Sequence, residues 1–337
     1  MPHHLERTAA PVEADSLFLD GMMRVLIVGA GATGGYFGAR LLEGGCDVTF
    51  LLRPRRREQL AATGLRVTSP FGDLMIPDPP AMLSAEITTP FDLVLVSCKA
   101  YDLAEVMESF APAVGSGTAI LPVLNGMGHI EALAARFGAR HVLGGLCMIS
   151  STLDEHGTVV HLNQVHAISF GEPDGQMSER VLAIGALLSR GAFDSDATAT
   201  IMHAMWEKWT FIAALGGITG LMRGSIGDIV AAGGEPMAIG LYDECSAIAE
   251  QAGYRPREAS RTRSLQFLTT AGSPLVASML KDVERGSRTE ADHILGDLLR
   301  RSVDTASSAT SSTAPSLLQV AYTALRTYEA RRAGEMR

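Results

Sequence analysis

The sequence predicts an α/β protein: a Rossmann-like doubly wound parallel sheet followed by an all-helical C-terminal domain. Three observations predict it. The β-branched run Arg24-Val-Leu-Ile-Val28 ends in the glycine turn Gly29-Ala-Gly-Ala-Thr-Gly34, and helical spacing follows over 36–42. Short apolar runs then alternate with helical periods as far as residue 170, and beyond Thr198 no convincing strand appears.

Taken in order, Gly44 and Gly45 end the first helix and Asp47-Val-Thr-Phe-Leu-Leu52 reads as the second strand, a βαβ unit of about thirty residues. Further strands of the same sheet are expected at 92–97, 118–124 and 141–149, alternating with helices near 103–113 and 130–137. The segment 158–170 reads as strands appended to the sheet edge. Helices are expected at 201–222, 237–251, 275–285 and 290–299. The Ser/Thr/Ala-rich piece 305–316, with Pro315, reads as a loop before a helix over 317–330. This divides the chain into an N-terminal extension, 1–22, a dinucleotide-binding domain, 23–198, and a helical substrate domain, 199–330, with no internal repeat.

Composition narrows the function. The 337 residues favour two domains, and 47% apolar against 19% charged residues suits packed cores. A net charge of -9 argues against nucleic acid as a partner, because that affinity rests on Lys and Arg neutralising phosphates. The uncharged stretches 25–39 and 209–222 are shorter than the roughly 18 apolar residues a spanning helix needs, so no membrane segment is expected. The charged opening, 1–21, lacks the apolar core of a secretory signal, and Met23 is an alternative start. Cys46, Cys98, Cys147 and Cys245 never form C-x-x-C and read as reduced, mostly buried thiols of a cytoplasmic protein. No metal site is expected: His156, His161 and His166 are spaced by five, which on a regular strand puts His161 and His166 on opposite faces. Met148, Met202 and Met205 read as packing residues, and no G-x-S-x-G or Cys/His arrangement points to a nucleophile.

The glycine turn carries the chemistry. Gly29 permits the tight turn, Gly31 lets backbone approach a pyrophosphate, and Gly34 lets helix and strand pack closely. The helix N-terminus, with Ala32 and Thr33 in its first turn, offers free N–H groups to the phosphates. At the end of the second strand, where an NAD site has a carboxylate for the ribose, stands Arg53, followed by Pro54-Arg-Arg-Arg57. Guanidinium groups pair bidentately with phosphate, so the expected cofactor is NADP, although 55–57 also reads as a solvated basic helix start.

With these features the chain resembles the ketopantoate reductase (2-dehydropantoate 2-reductase) family over 23–301. Four separated pieces carry the resemblance: the glycine turn with Arg53; Val94-Leu-Val-Ser-Cys-Lys99-Ala; Leu124-Asn125-Gly126; and Trp206-Glu-Lys208 together with Ser278-Met-Leu-Lys-Asp282 and Arg288-Thr-Glu290. The resemblance implies NADPH-dependent reduction of a 2-keto acid to the (R)-2-hydroxy acid, as in pantothenate biosynthesis, in a cleft between two domains. It implies Lys208 as proton donor and Glu290 as its partner, Ser278 at the substrate carboxylate, Asn125 beside substrate and nicotinamide, and Lys99 along the cofactor. The chemistry suits these residue types. Hydride arriving at the keto carbon makes an alkoxide, which an ammonium both stabilises and protonates. Trp206, Trp209, Phe211 and Ile212 would desolvate Lys208, with Glu290 opposing the effect. Gly286 is expected to break the helix between Ser278 and Glu290, with Thr289 and Asp292 as a capping box for the next.

One departure stands out. The family pattern places asparagines four and eight residues after the lysine, and here these positions hold Ile212 and Gly216. The expected pocket is therefore apolar and roomier, suited to a bulky apolar or aromatic 2-keto acid. A D-2-hydroxy acid dehydrogenase and a catalytically silent NADP-binding protein remain alternatives, and monomer and homodimer are both open.

Overall fold

The computed structural model describes residues 22–305 and 315–335. The expected N-terminal extension, apart from its last residue, and the body of the expected loop at 305–316 lie outside the described residues.

The elements run β1 (Arg24–Val28), α1 (Ala32–Glu43), β2 (Asp47–Leu51), α2 (Pro54–Thr63), β3 (Leu65–Thr68), β4 (Leu74–Ile76), β5 (Ala81–Met82), β6 (Leu93–Val96), α3 (Leu103–Phe110), β7 (Ala119–Pro122), α4 (Gly128–Phe137), β8 (Gly144–Leu153), β9 (Val159–Gly171), α5 (Glu179–Leu188) and β10 (Asp194–Ala197). Helices follow: α6 (Ile201–Met222), α7 (Ile226–Ala231), α8 (Glu235–Gln251), α9 (Glu258–Thr269), α10 (Ser278–Glu284), α11 (Asp297–Thr305), entered through a π-helical turn at Asp292–Gly296, and α12 (Leu317–Glu335).

Five parallel strands form the first sheet in the order β5-β2-β1-β6-β7. Successive residues of β1 serve two cores: Val25 and Ile27 face one, Leu26 and Val28 the other. A strand covered on both faces reads as a continuous apolar run, which is why Val-Leu-Ile-Val was legible. The chain winds outward from β1 through β2 to β5, then crosses back to β6 and β7. The order thus reverses between β1 and β6, where open α/β sheets bind ligands.

The segment 141–149 does not continue this sheet as expected. Val142 makes one parallel bridge to Ile120, and the chain then turns into β8, which pairs antiparallel with β9 in a second sheet of order β10-β9-β3-β4. Gly145 allows the crossing, since a Cβ there would lie 2.3 Å from the Pro122 carbonyl oxygen. The segment 158–170 is likewise one 13-residue strand of that second sheet rather than an edge addition to the first. A register shift between the pairs Ile149/His166 and Ser151/His161 sets the four residues 162–165 of β9 against the single Ser150 of β8. This irregularity overturns the expectation for His161 and His166: the rings lie 5.8 Å apart on one side, beneath Tyr36 and Phe71. His166 Nδ1 meets the Tyr36 hydroxyl at 2.7 Å and His161 Nδ1 the Ser69 hydroxyl at 3.0 Å, tying α1 to the second sheet. Met148, expected to pack, is exposed on β8.

In the helical part α6 is the axis. Its 22 residues are apolar nearly all round, as befits a helix that α8, α10 and α12 surround. No described helix is long and apolar enough to cross a membrane.

Candidate active site

Four of the expected site positions follow the carboxyl ends of neighbouring strands: the glycine turn after β1, Arg53 after β2, Lys99 after β6 and Asn125 after β7. Parallel strands bring them to one rim of the sheet, astride the switch point. Gly29 sits at φ +91°, a backbone region that favours glycine. A Cβ at Gly34 would lie 2.3 Å from the Gly29 carbonyl oxygen and 2.4 Å from Ser97 Oγ, whereas a Cβ at Gly31 would meet open space. Helix α1 starts at Ala32 and Thr33 without a side-chain cap or an acidic residue in its first turn. The end is thus an uncapped, positive helix terminus with room above it, the arrangement a pyrophosphate requires.

The basic run divides by role. Arg53 caps α2 and reaches Glu105 at 3.3 Å and Asp102 at 3.6 Å, in pairs exposed enough to exchange partners. Arg55 is exposed and makes no ion pair among the described residues. Arg56 is not available to a phosphate, because its guanidinium binds the carbonyls of Ala30 and Gly157 and the Gln59 side chain. Arg57 is held by Glu86 at 2.6 Å.

Lys208 projects from α6 into a narrow pocket between the two parts of the molecule, lined by Leu124, Asn125, Gly126, Gly145, Leu146, Met205, Trp209 and Ile212. Its Nζ donates to the Cys147 carbonyl at 2.7 Å. Trp209 and Ile212 are its neighbours as expected, but Trp206 stacks on Tyr254 and Phe211 packs against Phe267. Glu290 does not pair with Lys208. Its buried carboxylate takes Lys99 Nζ at 3.2 Å and the Ala100 N–H at 3.0 Å, and Asp282 holds the same ammonium at 3.2 Å. Burial draws the Lys99 pKa down, but the two carboxylates outweigh it and hold the ammonium above the ordinary lysine value. Glu290 thus fastens the helical part to the sheet rim.

Two local expectations fail. Gly286, at φ +68°, does follow the end of α10, but no capping box forms beyond it. Asp292 accepts from the Tyr322 hydroxyl at 2.5 Å and pairs with Arg300, while Thr289 donates to Glu329. Gly216 does not enlarge the pocket either. The Met279 Cε lies 2.1 Å from where a Gly216 Cβ would be, so α10 fills the room that the small residue leaves. Ser278 opens α10 and is exposed.

The sequence reading missed three contributors. Asp282 lies within a quoted motif, but only folding shows its carboxylate on Lys99. His129 and His293, flanking Asn125-Gly126 from α4 and from the π-helical turn, carry no motif at all.

Comparison with known proteins places the chain in a family. Residues 25–175 match the family model "Ketopantoate reductase PanE/ApbA" and residues 200–319 its C-terminal counterpart. The chain is 38% identical over 309 residues to the "Uncharacterized oxidoreductase YkpB" of Bacillus subtilis, covering 91% of this chain and 99% of that protein. It is 31% identical over 291 residues to a 2-dehydropantoate 2-reductase of Archaeoglobus fulgidus, covering 83% and 91%. The crystal structure of 2-dehydropantoate 2-reductase from Geobacter metallireducens superposes with a TM-score of 0.81 at 31% identity, covering 90% of this chain and 99% of that one. With a glycine turn at the switch point and a lysine pocket beyond the carboxyl end of β7, the chain belongs to the ketopantoate reductase family, NADP-dependent oxidoreductases acting on CH–OH groups.

Proposed function

We propose that the protein reduces a 2-keto acid with an apolar side chain to the (R)-2-hydroxy acid, using NADPH. The observation that carries this reading is the shared pocket of Lys208 and Asn125, whose other lining residues offer no free polar side chain, the Trp209 indole N–H being given to the Ile294 carbonyl. The chain fits the cofactor: Gly31 leaves open space over an uncapped helix end, and Arg55 has no acidic partner among the described residues. The turn 29–34 would hold the pyrophosphate, Arg53 and Arg55 the 2′-phosphate, and Lys99 and Asn125 the reducing half. Bound NADPH supplies the hydride. Lys208 binds the keto oxygen through Nζ and delivers a proton there as negative charge develops. Asn125 orients the substrate, Ser278 is assigned to its carboxylate, and Glu290 keeps Lys99 placed. Leu146, Trp209 and Ile212 exclude water, which strengthens the ammonium's effect on the alkoxide.

The substrate's side chain meets Ile212, with Met279 filling the place beside Gly216, so hydroxyl-bearing keto acids find no partner there. Oxidation of NADPH followed by absorbance with a panel of keto acids should give branched and aromatic substrates higher kcat/KM than ketopantoate. Ile212→Asn should move that ratio toward ketopantoate by about tenfold. A wide margin in favour of ketopantoate in the wild type overturns the apolar assignment. Turnover of no keto acid leaves a silent nucleotide-binding protein.

The 2′-phosphate assignment has its own test. A charge-assisted hydrogen bond contributes about 1.5–3 kcal/mol, so Arg53→Ala and Arg55→Ala should each weaken NADPH about 10- to 100-fold and leave NADH nearly unchanged. Equal losses for both nucleotides would remove the assignment.

A further inference from the structure

The glycine turn is held from behind by a side chain that the reaction described above does not use. Arg56, in the first turn of α2, spreads its guanidinium over three segments: Nε donates to the Ala30 carbonyl at 3.0 Å, Nη1 to Gln59 Oε1 at 2.7 Å and Nη2 to the Gly157 carbonyl at 3.0 Å. Ala30 lies inside the glycine turn, and Gly157, 101 positions from Arg56, lies in the turn that joins β8 to β9. One side chain thus ties the glycine turn to the second sheet. The far anchor is itself fixed, because Asp154 Oδ1 accepts the N–H groups of His156 and Thr158 at 2.9 and 2.8 Å, and Gln59 Nε2 donates to the His156 carbonyl at 2.9 Å. Gly157 stands at φ +80°, and a Cβ there would lie 2.5 Å from Arg56 Nη1 and 2.3 Å from Gln59 Nε2. Glycine lets both side chains lie against the turn.

We propose that Arg56 is a positioning residue for the cofactor: it orients and polarises the Ala30–Gly31 peptide as a donor to the pyrophosphate without touching the nucleotide. The inference rests on the reading that the turn 29–34 holds a dinucleotide. The carbonyl that Arg56 grips and the Gly31 N–H belong to one trans peptide, in which the two groups point opposite ways, so a grip on one from α2 fixes the direction of the other. The Gly31 N–H has no acceptor among the described residues, and the space over Gly31 is open. It is left for a ligand. A cation on the carbonyl also draws electron density through the peptide, which strengthens the N–H as a donor to an anion. A lysine could not do the same, since one ammonium cannot span three acceptors on three segments. The basic run then acts on two parts of the nucleotide: Arg53 and Arg55 on the 2′-phosphate, which NADH lacks, and Arg56 on the pyrophosphate, which NADPH and NADH share.

The test uses ligands that differ in which phosphates they carry. Affinities for NADPH and NADH are read by fluorescence titration, and that for adenosine 2′-phosphate, which has no pyrophosphate, by displacement of NADPH, in wild type, Arg56→Met, Arg56→Lys and Gly157→Ala. The brace predicts that Arg56→Met weakens NADPH and NADH alike, about tenfold, and leaves adenosine 2′-phosphate within about twofold of wild type. Gly157→Ala pushes the guanidinium aside from the other end and should give the same pattern, so the test stays decisive where Arg56→Met fails to fold. Arg56→Lys keeps the charge and loses the fork, and should remain about as weak as Arg56→Met. Four results overturn the proposal: a loss for NADPH alone, which makes Arg56 a 2′-phosphate ligand; equal losses for all three ligands, which mark a packing role; full recovery in Arg56→Lys, which leaves a diffuse charge effect; and unchanged affinities. If wild type binds neither dinucleotide, the cofactor reading itself has failed and the brace falls with it.

Discussion

Lys208→Ala lowers kcat for keto acid reduction by about 10²–10⁴-fold while NADPH affinity stays within about twofold, since general acid catalysis by a positioned side chain contributes that much. The lysine sits on α6, away from the glycine turn, so its removal leaves the nucleotide contacts in place. Its Nζ is anchored on the Cys147 carbonyl at 2.7 Å, and the lysine lines the same pocket as Asn125. An ammonium so placed changes little in position during the reaction, and its charge meets the alkoxide without reorganisation. Lys208→Arg should recover little activity, because a guanidinium holds its proton more firmly than an ammonium and is a poor proton donor. Steady-state kinetics with fluorescence titration of NADPH measure both quantities. A fall in kcat of less than about threefold in Lys208→Ala would show that the proton comes from elsewhere.

The second large effect is on stability in acid. Burial holds His129 near a pKa of about 3, against about 6.5 in an unfolded chain. The folded state therefore favours the neutral ring, and its contribution is complete above pH ~6.5. As pH falls from ~6.5 toward 3 the unfolded state gains a proton that the folded state resists, and the contribution is lost. At pH 5 the loss is about 2 kcal/mol, roughly a thirtyfold change in the folded-to-unfolded ratio. His166 and His293, also lowered mainly by burial, act in the same direction, so the wild type loses stability still more steeply. His129→Phe removes one titrating group and keeps a ring of similar shape. Urea unfolding at pH 7.5 and pH 5 should show the variant losing about 2 kcal/mol less than wild type over that interval. Equal losses would mean that His129 is protonated in the folded protein.

The nucleotide half of the site was legible because its signals are local. A glycine turn between a buried strand and a helix is set by residues a few positions apart, and β1, β2 and α6 formed where their periods pointed. The second sheet was not legible. Strands β3, β4 and β10 have four, three and four residues, too few for a period, and β8 reads alone like any strand of a parallel sheet. The lysine-to-glutamate pairing was also misjudged. Sequence spacing orders Lys99, Lys208, Asp282 and Glu290 but says nothing of which ammonium meets which carboxylate, and folding joined Glu290 and Asp282 to Lys99.

The amino-acid order by itself determined the strand-turn-helix that receives a pyrophosphate, the guanidinium at the end of β2 and the apolar character beside Lys208, since each depends on residue type and near neighbours. Only the tertiary structure decided the rest. Met279 occupies the room beside Gly216, Arg56 is bound to backbone carbonyls, and both ring nitrogens of His129 and Nε2 of His293 are buried without a hydrogen-bond partner among the described residues. Those outcomes depend on contacts between segments far apart in the chain, where packing and desolvation set which neighbours each side chain meets.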